Sequence, residues 1–82
     1  MYYNNGHRYE GDWKKDKMKG KGIYYFNNGD RYEGDFRKNK KEGKGIVYYN
    51  NGDRIMGDYL NDIPKGRHVV LEKNGDAYIE NY

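Results

Sequence analysis

The chain has 82 residues, of which 35% are charged and 34% hydrophobic, and it carries a net charge of +3. So short a chain buries a modest share of its surface, so any core is thin or shared with a partner. Cysteine, serine and threonine are absent, which excludes disulfides, thiolate metal sites and every hydroxyl or thiol nucleophile of those types. Only His7, His68, carboxylates, lysines and tyrosines remain for chemistry. Eleven tyrosines, two phenylalanines and one tryptophan argue against disorder, because disordered chains are poor in such side chains. Tyrosine suits a half-wet sheet, where its ring packs while its hydroxyl meets water.

From the N-terminus, Met1-Tyr2-Tyr3 reads as the end of a strand, followed by an Asn-Gly turn at Asn5-Gly6. Gly29, Gly52 and Gly75 repeat that turn at intervals of 23 residues, and NNGHRYEGDW, NNGDRYEGDF, NNGDRIMGDY and KNGDAYIENY recur around them. A second block, GKGIYYF, GKGIVYY and GRHVVLE, begins at Gly20, Gly43 and Gly66 with the same period. A fixed period of this length is the mark of a repeat architecture. Asn-Gly between alternating apolar residues predicts a two-residue type I′ hairpin. Each unit is therefore strand, turn, strand, and the predicted fold is all-β: one single-layer, elongated, twisted antiparallel sheet over residues 1–82. It holds about three and a half units, the first clipped and the last a degenerate cap.

With Asn28 and Gly29 as the turn, Tyr25 is expected opposite Tyr32, Ile23 opposite Gly34 and Lys21 opposite Phe36. One face would then carry Ile23, Tyr25, Tyr32, Gly34 and Phe36, since side chains alternate along a strand. Tyr9-Gly11-Trp13, Tyr32-Gly34-Phe36 and Ile55-Gly57-Tyr59 fall on that face. Glycine within a strand permits bending or lets a ring lie across the backbone, so the expectation is a concave face with an aromatic floor. These rings can serve simply as the core; the functional reading makes Tyr9, Trp13, Tyr25, Tyr32, Phe36, Tyr48 and Tyr59 a groove for a protein or peptide segment. The connections Lys14–Lys19, Lys38–Glu42 and Asn61–Pro64 join the hairpins into a meander.

The residues Tyr9-Glu10-Gly11-Asp12-Trp13 and Tyr32-Glu33-Gly34-Asp35-Phe36, with Gly20-Lys21-Gly22 and Gly43-Lys44-Gly45, resemble the MORN (membrane occupation and recognition nexus) repeat. The third unit departs with Ile55-Met56, and His68 replaces the second glycine of its pair. The resemblance implies a scaffold or adaptor that binds partner segments or dimerises, with association to anionic phospholipid proposed for the family, and it implies nothing catalytic. A clipped first unit leaves an N-terminal edge strand open to self-association, as in a dimer or a fragment of a longer array.

Two basic stretches lie one unit apart, with Lys14, Lys15 and Lys17 in the first and Lys38, Lys40 and Lys41 in the second. At about 10 Å separation their fields add, which makes that margin the alternative site, a contact for anionic membrane; the plainer reading is a set of solvated loops that protect the edge. Nucleic acid is not expected, because no recognised binding motif is present and the cations lie apart from the rings. The recurring Asp12, Asp35 and Asp58 suit surface ion pairs better than calcium, which needs six or more converging oxygens. No catalytic residue, metal or cofactor is predicted. Apolar runs are too short to span a bilayer and the start lacks a secretory pattern, so the expected location is cytoplasmic, with peripheral membrane attachment under the alternative reading.

Overall fold

The computed structural model describes residues 6–82, and among them every regular element is a strand. In chain order these are β1 (Arg8–Lys14), β2 (Lys17–Tyr25), β3 (Arg31–Arg37), β4 (Lys40–Tyr48), β5 (Arg54–Leu60), β6 (Ile63–Leu71) and β7 (Ala77–Asn81). They form one open antiparallel sheet in sequence order, a slab of 39 × 24 × 16 Å. The hairpin-repeat class expected from the 23-residue period is the one observed. The expected edge at Met1-Tyr2-Tyr3, with its self-association, lies outside the described residues.

The turns correct the expected register. After β2 the loop has three residues: Phe26 N donates to Asp30 O at 2.9 Å and Gly29 N to Phe26 O at 3.2 Å. Gly29 has φ of 96°, whereas Asn28 stays outside the left-handed region. This is a type I turn closed by a left-handed glycine. Asn28 shapes it from outside the backbone, its Oδ1 accepting Asp30 N at 2.9 Å, and Asn51 and Asn74 do the same for Asp53 and Asp76. An asparagine side chain that accepts an amide two residues on stabilises such a bend.

One additional loop residue slides the pairing by one position. Tyr24 therefore faces Tyr32, Ile23 faces Glu33, Gly22 faces Gly34 and Gly20 faces Phe36. A one-residue slip moves every side chain of a strand to the other face, so Tyr24, not Tyr25, shares a face with Tyr32 and Phe36. The two-residue turns with consecutive left-handed residues occur instead at the opposite margin, at Lys15-Asp16, Lys38-Asn39 and Asn61-Asp62. There the strands run almost to the turn, and the longer loops expected at Lys14–Lys19, Lys38–Glu42 and Asn61–Pro64 do not exist.

Both margins are stitched from unit to unit. On one, Met18 N donates to Asn39 Oδ1 at 2.8 Å and Lys41 N to Asp62 Oδ1 at 2.6 Å. On the other, Asn50 N donates to Asp30 Oδ1 and Lys73 N to Asp53 Oδ1, each at 2.8 Å. His7 occupies the corresponding place in the first unit, accepting Asn27 N on Nδ1 at 2.9 Å; its proton must then reside on Nε2. Each hairpin is in this way positioned by its predecessor.

The core is a row of rings on one face. Tyr9 lies across the facing pair Gly11 and Gly22, and Tyr32 across Gly34 and Gly45, so closely that a methyl group on any of these glycines would overlap the phenol. Both rings are fully buried. Each hydroxyl closes onto the strand it came from, Tyr9 donating to Asp12 O at 3.1 Å and Tyr32 to Asp35 O at 3.2 Å. Edge-to-face contacts then run along the sheet from Trp13 to Tyr9, Phe36, Tyr32, Tyr59, His68 and Tyr82, with centroids 4.9–5.4 Å apart. Each such contact contributes about 0.5–1.5 kcal/mol beyond burial itself.

Counted as the strand pairs β1–β2, β3–β4 and β5–β6, the third unit keeps this row by a swap. Ile55 stands where Tyr9 and Tyr32 stand, so no phenol covers Gly57. His68, which replaces the glycine of the facing strand, is fully buried, and its imidazole lies against Gly57 where the tyrosine would be. The two departures from the repeat are one compensated change. Ile55→Tyr alone should therefore overpack the site and cost about 1–3 kcal/mol, and His68→Gly alone should open a void at a cost of about 2–4 kcal/mol. The double variant should lie within about 1 kcal/mol of the parent, a favourable coupling that urea denaturation of all four proteins would measure.

Candidate functional site

The ring face carries a trough above the buried row. One depression of about 350 Å³ is bordered by His7, Met18, Tyr24, Phe26, Phe36 and Lys41. A second of about 320 Å³ is bordered by Phe26, Val47, Tyr49, Tyr59 and Pro64. They share Phe26, Lys41 and Asp62, so the trough crosses from the first unit into the third. Lys41 is its cation, with Nζ 5.6 Å from the Tyr32 ring centroid and 5.8 Å from that of Tyr59.

The seven ring residues expected to line a groove divide into four groups. Phe36 and Tyr59 border the trough, and Trp13, 37% exposed, ends the row. Tyr9 and Tyr32 lie beneath the surface with no exposed area, so they support the trough and cannot touch an occupant. Tyr25 and Tyr48 are on the opposite face, where the guanidinium of Arg8 stacks on Tyr25 at 3.9 Å and that of Arg31 on Tyr48 at 4.0 Å. The three-residue turn put them there. Tyr24, Phe26, Met18 and Val47 take the places assigned to those rings; the signal for them in the sequence was a register that sets glycine against glycine, Gly22 against Gly34 and Gly45 against Gly57.

The basic residues gather at the margin of the two-residue turns. Lys14, Lys15, Lys17, Lys19, Arg37 and Lys38 surround a cleft of about 680 Å³ floored by Met18 and Phe36, with Asp35 and Glu42 also on its wall. Lys40 joins Arg37, Lys38 and Asn61 around the neighbouring depression. Lys41 does not belong with them. It pairs across the sheet with Phe36 and points onto the ring face, because its strand begins directly after the tight turn.

Burial pushes the hydroxyls of Tyr32 and Tyr59 above the ordinary tyrosine value of 10, with the nearby Tyr59 and Asp35 adding to the effect at Tyr32. Tyr82 rises to about 12 chiefly because its hydroxyl donates to Glu80 Oε2 at 2.7 Å. His68 has a buried Nε2 without a hydrogen-bond partner among the described residues. No three histidine or carboxylate groups of the described residues converge as metal ligands would.

A family model, the MORN repeat, matches residues 9–31 and 32–54, two consecutive units. The chain belongs to the MORN repeat family. MORN repeats are binding and scaffolding modules, generally associated with proteins and membranes, and are not themselves catalysts. A comparison with curated proteins returns no match. Within the MORN pattern each part now has a structural office: the tyrosine is the buried ring, the glycine two residues on receives it, and the following aromatic, Trp13 or Phe36, meets it edge to face. The matched span stops just before Ile55, where the swap with His68 begins.

The raised hydroxyls fix the sign of the alkaline response. Tyr32 holds its proton longer in the fold than in the unfolded chain, so its contribution is intact below pH 10 and is lost progressively as pH rises above 10. The melting temperature should be flat through neutral pH and fall steeply above pH 10. Tyr32→Phe should lower it at pH 7, through loss of the bond to Asp35 O worth about 1 kcal/mol, while making the alkaline fall shallower; calorimetry from pH 7 to 11.5 would check both slopes.

Proposed function

We propose that residues 1–82 act as one MORN-repeat domain of about three and a half units, a non-enzymatic scaffold that holds a protein or peptide segment on its ring face. The observation that carries this is the trough spanning three units, with an apolar floor and Lys41 and Asp62 at its middle. Its floor is preformed, since the rings beneath it are locked edge to face, and a segment that docks there orders few protein side chains. The rest of the reading follows from the same picture: an apolar partner segment with a carboxylate for Lys41.

A peptide-display selection against the intact protein should yield apolar sequences bearing an acidic residue. Phe26→Glu should weaken them at least tenfold, because it charges the stretch shared by both depressions, and Lys41→Glu should weaken them while favouring a basic counterpart. Selected peptides that bind folded Phe26→Glu as tightly as the parent would remove the ring face as the site.

The lysine margin favours a second reading, peripheral attachment to anionic phospholipid on the cytoplasmic side of a membrane. Six cations around one open cleft with an apolar base suit headgroups, each Lys or Arg near the surface adding about 1 kcal/mol. Sedimentation with phosphatidylserine vesicles should pull the protein down at low salt and release it above about 0.3 M, where screening is strong. Replacing Lys14, Lys15, Lys17 and Lys38 by Glu should abolish the binding. Indifference to salt or to those replacements would exclude this reading.

A further inference from the structure

The face opposite the rings changes character along the array, and the first two units serve as internal controls. In unit one, Arg8 engages the ring of Tyr25 across the strand pair and the carboxylate of Glu10 at 3.3 Å. In unit two, Arg31 has the same pair, the ring of Tyr48 and Glu33 at 3.7 Å. Unit three keeps the arginine and removes both partners. Arg54 faces Leu71 on one side and, on the other, Tyr48, whose ring is already covered by Arg31, and it has Met56, not a glutamate, two residues on. It is exposed, and among the described residues no carboxylate or ring engages it.

The neighbouring row changes at the same point. Read across the sheet from β1, the cross-strand positions are Glu10, Ile23, Glu33, Ile46, Met56, Val69 and Ile79. Charge alternates with apolar side chains over the first three strands, then four apolar side chains follow without interruption, the last of them 49% exposed. On the far side of this stripe lie Lys44, Lys65 and Arg67 with one carboxylate, Asp58, between the lysines. The stripe thus lies between a row of cations on one side and, on the other, the single cation Arg54 set between Tyr48 and Leu71; a solvated outer face has no use for an apolar stripe so placed, whereas an interface does.

We infer that this stripe docks an acidic amphipathic helix. It runs perpendicular to the strands over three strand spacings, about 14 Å, which is the length of about ten helical residues. Apolar side chains one turn apart meet the row from Ile46 to Ile79, and carboxylates on the helix flanks meet Arg54 on one side and Lys44, Lys65 and Arg67 on the other. The partner supplies to Arg54 the counter-charge that Glu10 and Glu33 supply within the first two units. This surface is separate from the ring-face trough and from the lysine margin.

The test uses the intact protein and a hydrocarbon-stapled 14-residue helix with leucines along one face and glutamates on both flanks, together with a lysine-flanked counterpart. The acidic helix should bind at least tenfold more tightly than the basic one and shift the methyl resonances of Ile46, Met56, Val69 and Ile79. Met56→Glu, which restores the side chain of the first two units and should fold as they do, should weaken the acidic helix at least tenfold. Arg54→Glu should reverse the preference, so that the lysine-flanked helix binds the better. The inference is overturned by equal affinity for the two helices, by an acidic helix indifferent to Met56→Glu, or by resonance shifts confined to Val47 and the rings of Phe26 and Tyr59. A dimer of the parent that Met56→Glu dissolves, with no helix binding, would assign the stripe to a second copy and would equally overturn it.

Discussion

The structure depends on one contact: a tyrosine ring lying flat across two glycines that face each other on neighbouring strands. A one-layer sheet has no second layer to bury its apolar side chains. A ring folded down over its own sheet supplies the missing cover, and only glycine leaves room beneath it. Tyr9 over Gly11 and Gly22, and Tyr32 over Gly34 and Gly45, reach full burial in this way. Burial of an aromatic side chain contributes about 2–3 kcal/mol, so a handful of such rings is a substantial part of what holds a small domain.

The same contact governs how units join. Each buried ring meets the aromatic of its own unit and that of a neighbour edge to face, which links units into one row. Paired glycines set the strand register, and the three-residue turn with its asparagine bracket is the loop that delivers that register. Asp30 and Asp53 then receive an amide from the following turn, so packing and hydrogen bonding fix the same offset between units. The exchange of Ile55 and His68 marks the requirement as one of volume and shape at the glycine, which an imidazole from the facing strand meets as well as a phenol from its own.

Because the rings are engaged below the surface, the two broad faces and the turn margin are free to differ from unit to unit without disturbing the fold. The ring face presents a shallow trough centred on Phe26 and Lys41, the margin a ring of lysines, and the opposite face an arginine-tyrosine stack that gives way to an apolar stripe. A repeat that satisfies itself internally can in this way carry several distinct surfaces on one thin sheet.

The residues alone determined the period, the strand content and the family pattern, because glycine, asparagine and aromatic residues recur every 23 positions and each has a narrow set of backbone or packing roles. They also placed Tyr9, Tyr32, Phe36 and Tyr59 on one face, since that follows from alternation along β1, β3 and β5. The register of each of those strands with the one before it was expected from a two-residue turn and is set instead by a three-residue one. A two-residue and a three-residue turn are both compatible with Asn-Asn-Gly, and the choice moves Tyr25 and Tyr48 from one side to the other. Only the tertiary structure decided it, because the deciding energy lies in the fit of rings against glycines brought together across strands, which neither strand encodes by itself.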